Sequence, residues 1–241
     1  MKKSTFDQFV AEGFNHIPVF KEIVVDTDTA VGLYLKLGDR PYSYLFESVQ
    51  GGEKWGRYSI IGLPASTIVK VFEYEIHIEE NNKLIETQIV EDPLSWIEEF
   101  QQKYKVPKIE SLPEFNGGMV GYFGYEIIRY IEPRLSNISK PDELGVADIL
   151  LMVSNDLVVF DNLLNKAFVI THINPEESTY EEAIDKINQI KNQIDKPLKK
   201  YNNTKSNINE DDFISSFGED EYKETVEKIQ QYIQAGDVMQ V

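Results

Sequence analysis

The sequence predicts an α+β fold whose strands pair largely antiparallel and are accompanied by helices. Three observations carry this expectation. Several short runs are rich in β-branched and aromatic residues, as half-buried strands are. Two pairs of these runs read as hairpins, one about Glu80-Asn81-Asn82-Lys83 and one in which Ala167–Ile173 returns along the strand before it. Amphipathic segments with recognisable stops and caps occur before, between and after the strands.

Taken in order, Ser4–Glu12 spaces Phe6, Phe9 and Val10 as on a helix, and Gly13 stops it. A second helix is expected from Asp28 as N-cap to Gly38 as the stop. Strands are expected at Tyr42–Ser48, Arg57–Ile61, Thr67–Tyr74, Glu75–Glu79 and Leu84–Val90. Asp92-Pro93 then supplies an N-cap and a first-turn proline. The helix behind it lines up Leu94, Ile97, Phe100, Gln101 and Tyr104. Phe115–Tyr125 reads as a glycine-rich strand, and Asp148–Asp161 as a continuous buried one. Tyr180, Ala183, Ile184, Ile187, Ile190 and Ile194 form the apolar stripe of a long helix. Residues 195–212 are polar and read as a linker. One more amphipathic helix, about Asp220 to Ala235, carries Tyr222, Val226, Ile229 and Ile233 on one face and ends at Gly236. Val238–Val241 reads as a strand just begun, so the chain is expected to be a fragment of a longer protein.

Composition narrows the function classes. The 241 residues carry a formal net charge of −17, which repels phosphate backbones and anionic membrane surfaces. Nucleic acid and membrane are therefore not expected as partners. No apolar run approaches the roughly 18–20 residues of a membrane span, and the N-terminus lacks the apolar block of a secretory signal. The absence of cysteine excludes disulfides, thiolate metal sites and a cysteine nucleophile. A cytoplasmic protein is expected.

No self-contained catalytic constellation stands out. His16, His77 and His172 have no second histidine at metal-ligand spacing, and His77 and His172 fall in expected strands, where a structural role is the simpler account. Gly51-Gly52-Glu53-Lys54 lacks the spacing of a phosphate-binding loop, and Gly-x-Ser-x-Gly is absent. Two segments do have the chemistry of binding elements. In the first, Leu45-Phe46-Glu47-Ser48 is followed by a glycine turn and a strand that begins at Arg57. Glu47 can pair with an ammonium group, Ser48 can hydrogen-bond a polar atom, and Arg57 can clamp a carboxylate. An ordinary β-hairpin with a surface ion pair fits the same spacing. In the second, glycines at 117, 118, 121 and 124 imply close backbone approach or a bulge.

Together these segments resemble the anthranilate synthase component I family. The resemblance rests on LFES at 45–48, EKWGRYSIIG at 53–62, FNGGMVGYFGYEIIR at 115–129, DILLMVSNDLVVFD at 148–161 and YKETVEKIQQYIQAGDVMQV at 222–241. Glu126 stands where the family usually has aspartate, and Phe46 where it has leucine. The resemblance implies packed, largely antiparallel β-sheets with flanking helices, in agreement with the reading above, and with the 148–161 segment as a strand pair. It implies a parent enzyme, a lyase, that converts chorismate and ammonia to anthranilate and pyruvate with Mg²⁺. A glutamine amidotransferase subunit supplies the ammonia, and L-tryptophan inhibits by feedback. It further implies a tryptophan-sensing regulatory domain at 1–194, a linker at 195–212 and the start of a chorismate-binding catalytic domain at 213–241. Glu47, Ser48 and Arg57 then become tryptophan contacts. No catalytic residue, metal ligand or cofactor is expected in this chain, which alone is expected to be inactive. Aminodeoxychorismate synthase component I, of the folate pathway, shares much of the pattern. A non-catalytic amino-acid-binding module is the alternative of a different class.

Overall fold

A computed structural model describes residues 1–25, 27–47, 56–135, 144–198 and 208–240. Two compact units emerge, Met1–Lys199 and Lys200–Val241.

The first unit is built on two five-stranded antiparallel sheets. Its elements are α1 (Lys3–Ala11), β1 (Ile17–Val24), α2 (Ala30–Leu37), β2 (Tyr44–Phe46), β3 (Tyr58–Gly62), β4 (Thr67–Phe72), β5 (Glu75–Glu80), β6 (Lys83–Ile89), α3 (Pro93–Gln102), β7 (Gly118–Phe123), the one-turn α4 (Ile128–Ile131), β8 (Ile149–Ser154), β9 (Asp156–Asp161), β10 (Lys166–Ile173) and α5 (Tyr180–Ile194). The first sheet has the order β1-β10-β9-β3-β2 and the second β6-β5-β4-β8-β7. The fold is thus α+β with antiparallel sheets, as expected.

Strand alternation assigns the faces. In β9, Val158 and Phe160 join a core with Leu33 of α2 and Ile187 and Ile190 of α5, while Leu157 and Val159 pack on the opposite face with Ile170 and Phe115. In β8, Ile149, Leu151 and Val153 pack with Ile97 and Phe100 of α3. Met152 turns the other way and meets Tyr44 and Ile60 of the first sheet. The layers run helix, sheet, sheet, helix, and the buried Tyr44 hydroxyl bridges the sheets to Ser154 Oγ at 2.7 Å.

Several local expectations need correction. Asp148–Asp161 is two strands: β8 ends in the second sheet at Ser154, and β9 starts in the first at Asp156. Apolar residues on both faces of each strand make the run look continuous, because both sheets are covered on both sides. Asn155 is the crossover. Thr29, not Asp28, caps α2 through Gly32 N–H, and Asp28 pairs with Lys36 instead. The aromatic strand is only Tyr44–Phe46, since Tyr42 sits at φ 61. Thr67–Tyr74 stops at Phe72, where Glu73 turns the chain at φ 54. β1 was not expected, because Pro18 interrupts its apolar run. Proline is tolerated there because β1 lies at a sheet edge.

Other features follow the chemistry read from the sequence. Asn81 and Asn82, at φ 50 and 63, make the β5–β6 turn. Asp92 caps α3 through the amides of Leu94 and Ser95. Close approach explains a glycine of β7: a Cβ on Gly121 would fall on the Leu150 carbonyl of β8.

In the second unit, α6 (Glu219–Ala235) starts with three acidic residues favoured by the helix dipole and ends at Gly236 in the left-handed conformation, φ 82. Residues 238–240 form no strand.

Candidate functional site

The two ends of β9 hold the polar groups of most interest. At its C-terminal end, Asp161 pairs in register with Tyr58 of β3 and with Lys166 of β10. Arg57, one residue before β3, reaches its carboxylate with Nη2 at 2.7 Å from Oδ2 and Nε at 3.0 Å from the same oxygen. The amides of Leu163 and Leu164 donate to Oδ1 at 3.0 and 3.2 Å. Burial alone would raise the Asp161 carboxyl. The Arg57 guanidinium and the two amides outweigh it and hold the group below the usual carboxylate range. The Asp161 side chain is only 2% exposed, whereas Arg57 is 37% exposed.

This fork uses one edge of the guanidinium, Nε and Nη2, and leaves Nη1 outside it. Arg57 also lies over the Tyr58 ring at 4.9 Å. Asn162 locks the approach: its amide N–H donates to the Arg57 carbonyl, and its Nδ2 donates to Ser59 Oγ and the Gly56 carbonyl. The result is a cation fixed in place at a strand end.

Of the residues singled out in the sequence, Glu47 directly follows β2 and is exposed. Phe46 pairs with Ile60, and β2 and β3 run antiparallel, so Glu47 leaves the sheet at the end where Arg57 enters. Ser48 lies outside the described residues. Asp161 was not singled out, because only the β3–β9 register brings it beside Arg57.

At the other end of β9, residues distant in sequence converge. His16 and His172 stack with centroids 4.8 Å apart and planes 18° apart. Tyr104 and His16 meet in a T-shaped contact with centroids 4.9 Å apart. His172 Nδ1 lies 3.2 Å from the Asn155 carbonyl, so the protonated tautomer at that nitrogen is favoured. Gly117 packs on the His172 ring so closely that a Cβ would overlap it. Burial, with a smaller contribution from His172, pushes His16 down to about 3. Burial pushes His172 down to about 4 against the opposing Asn155 carbonyl. Both imidazoles are therefore neutral at pH 7. Spacing concealed this pair, because only the antiparallel β1–β10 register, which sets Ile17 against Ile173, brings residues so distant in sequence together. Among the described residues no group of three or more histidine, aspartate or glutamate side chains is placed to hold a metal ion. No described helix is long and apolar enough to cross a membrane.

Comparison with known proteins identifies the class to which this fold of two antiparallel sheets belongs. Residues 44–241 match the family described as chorismate binding enzyme, and the chain belongs to that family. More particularly, it is 45% identical to anthranilate synthase component 1 of Pseudomonas putida, over all of this chain and 50% of that protein. It is 44% identical to the protein of the same name from Pseudomonas aeruginosa, again over all of this chain and 50% of its relative. The chain thus spans about half the length of these relatives. In fold it is similar to the crystal structure of anthranilate synthase component I from Streptococcus pneumoniae, with a TM-score of 0.54 and 21% identity over 89% of this chain and 46% of that one.

Proposed function

We propose that this chain is the regulatory part of an anthranilate synthase component I and that it binds L-tryptophan at Glu47, Ser48 and Arg57. The observation that supports this most is the fixed guanidinium of Arg57, tied by one edge to a buried carboxylate at the sheet end where Glu47 emerges. A guanidinium held this way keeps donors for a ligand carboxylate and loses little side-chain freedom on binding. Glu47 takes the ligand ammonium, Ser48 a polar ligand atom, and the indole lies against the neighbouring strands.

In this reading residues 1–194 form the sensing domain, 195–212 a linker and 213–241 the start of a catalytic domain. The whole protein, cytoplasmic, converts chorismate and ammonia to anthranilate and pyruvate, the ammonia coming from a glutamine amidotransferase subunit. Its Mg²⁺ and chorismate are held by the other half of the protein. Inhibition follows if tryptophan binds one conformation better than another, and its coupling to chorismate is then reciprocal in free energy.

A thermal-shift titration tests the reading on this chain and on the full-length protein. L-Tryptophan is expected to raise the melting temperature saturably, more strongly in the full-length protein, whose second half completes the pocket. D-Tryptophan is expected to have no effect, and Ser48→Ala to abolish the response. Absence of a saturable L-tryptophan effect on the full-length protein would overturn the assignment.

A further inference from the structure

The neutral end of β9 opens into a cleft of about 580 Å³ that the tryptophan reading does not use. One wall comes from the β5–β6 hairpin of the second sheet, with Glu80 and Glu86. The other comes from the turn between β10 and α5, with Asn174 and Glu177. Asn155, His16, His172 and Tyr104 lie between these walls. Asp156 and Asp161 are the two ends of β9, so the cleft is separated from the Arg57–Asp161 pair by about 17 Å of strand.

Four features of the cleft agree about what it would take. Its imidazoles are neutral, so they add aromatic surface and lone pairs but no positive charge. Its two lysines are engaged: Lys186 pairs with Asp156 at 2.7 Å, and Lys103 lies 5.2 Å from the Phe100 ring centroid. Glu80 and Glu177 approach from opposite walls, and the negative field of both reaches the Tyr104 hydroxyl between them. The side-chain oxygen Oδ1 of Asn155 is buried without a hydrogen-bond partner, an acceptor that a ligand donor would satisfy. Carboxylates, an unsatisfied acceptor and aromatic faces are together the complement of an ammonium group.

We propose that this cleft is a second ligand site, for a small organic amine whose ammonium groups lie between Glu80 and Glu177, over Tyr104, and donate to Asn155 Oδ1. An amine on a short aliphatic stem fits the chemistry. An anion is excluded by the rim charges, and a neutral apolar molecule leaves the Asn155 acceptor unpaired.

Isothermal titration of the chain with putrescine tests this, with sodium butyrate as the anionic control and ionic strength matched with sodium chloride. Saturable putrescine binding is expected below roughly 1 mM. It is expected to weaken at least about tenfold in a Glu80→Gln, Glu177→Gln double variant and in Asn155→Ala, with circular dichroism unchanged in both. Absence of saturable binding would overturn the proposal. So would binding undiminished in the double variant, since that is adsorption to a protein of net charge −17. The result is independent of the tryptophan assignment, because Ser48→Ala is expected to leave putrescine binding unchanged.

Discussion

At one end of β9 a carboxylate is buried as an ion; at the other, two imidazoles and an amide oxygen are buried without charge. The Asp161 carboxylate accepts from a guanidinium and two backbone amides. His16 and His172 instead stack on each other and stay neutral, and Asn155 keeps an unpaired oxygen. A buried charge persists where donors converge on it, and a buried base discharges where they do not. The difference teaches that one end keeps its charge because donors converge on it, while the other stays neutral and leaves a polar atom unpaired.

The comparison breaks most visibly at the charged end. Asp161→Ala leaves the amides of Leu163 and Leu164 without their acceptor and releases Arg57 from its fork. A loss of about 3 kcal/mol in unfolding free energy is expected, from stranded donors and a broken buried pair. Urea denaturation of the parent and the variant measures it. A change under about 1 kcal/mol would mean that the pair is incidental to the fold. The same variant is expected to weaken L-tryptophan binding, because a freed Arg57 must be ordered by the ligand itself.

Acid separates the two ends along the pH axis. Both histidines have folded-state values below the ordinary 6.5, so the unfolded chain takes up protons first. Their contribution to stability is fully present above pH 6.5 and is lost as pH falls toward about 4 and then about 3. Each imidazole is expected to cost about 1.4 kcal/mol by pH 5.5. Asp161, whose folded value is depressed, contributes above the unfolded carboxylate range and loses that contribution only as pH falls through its lower folded value. His16→Phe keeps an aromatic ring against His172 and Tyr104 but cannot titrate. Its unfolding free energy is expected to fall about 1.4 kcal/mol less than the parent's between pH 7.5 and 5.5. Equal slopes would show that His16 is already solvated in the native state.

Much of this architecture is legible in the residues, and what is hidden has a physical cause. α5 was readable from Ala183, Ile187, Ile190 and Ile194, all of them buried. α6 was readable from the same spacing of Tyr222, Val226, Ile229 and Ile233, yet none of its residues is buried. Amphipathic spacing specifies a helix; burial also needs a partner surface, which spacing does not describe. Arg57 was legible as a partner for a carboxylate from its residue type, and the carboxylate it holds is that of Asp161. Its anchor Asp161 was not, since only the β3–β9 register brings them together. The His16–His172 stack was invisible for the same reason: it depends on the pairing of β1 with β10 and on the crossover at Asn155.

The crossover residue offers the finest test of the contrast. Asn155 is forced by geometry to sit where the chain changes sheets, and its backbone is used fully: its carbonyl accepts from the His172 amide at 2.8 Å. Those contacts are independent of its side chain. Asn155→Ala removes a buried oxygen that has no partner, and with it a desolvation cost, while giving up some van der Waals contact. The two effects oppose each other, so urea denaturation is expected to place the variant within about 0.5 kcal/mol of the parent, far from Asp161→Ala. A near-neutral change in stability combined with lost amine binding would assign the Asn155 side chain to a ligand rather than to the fold. A loss approaching that of Asp161→Ala would instead show that the amide anchors the crossover, and the two ends of β9 would then be alike in purpose.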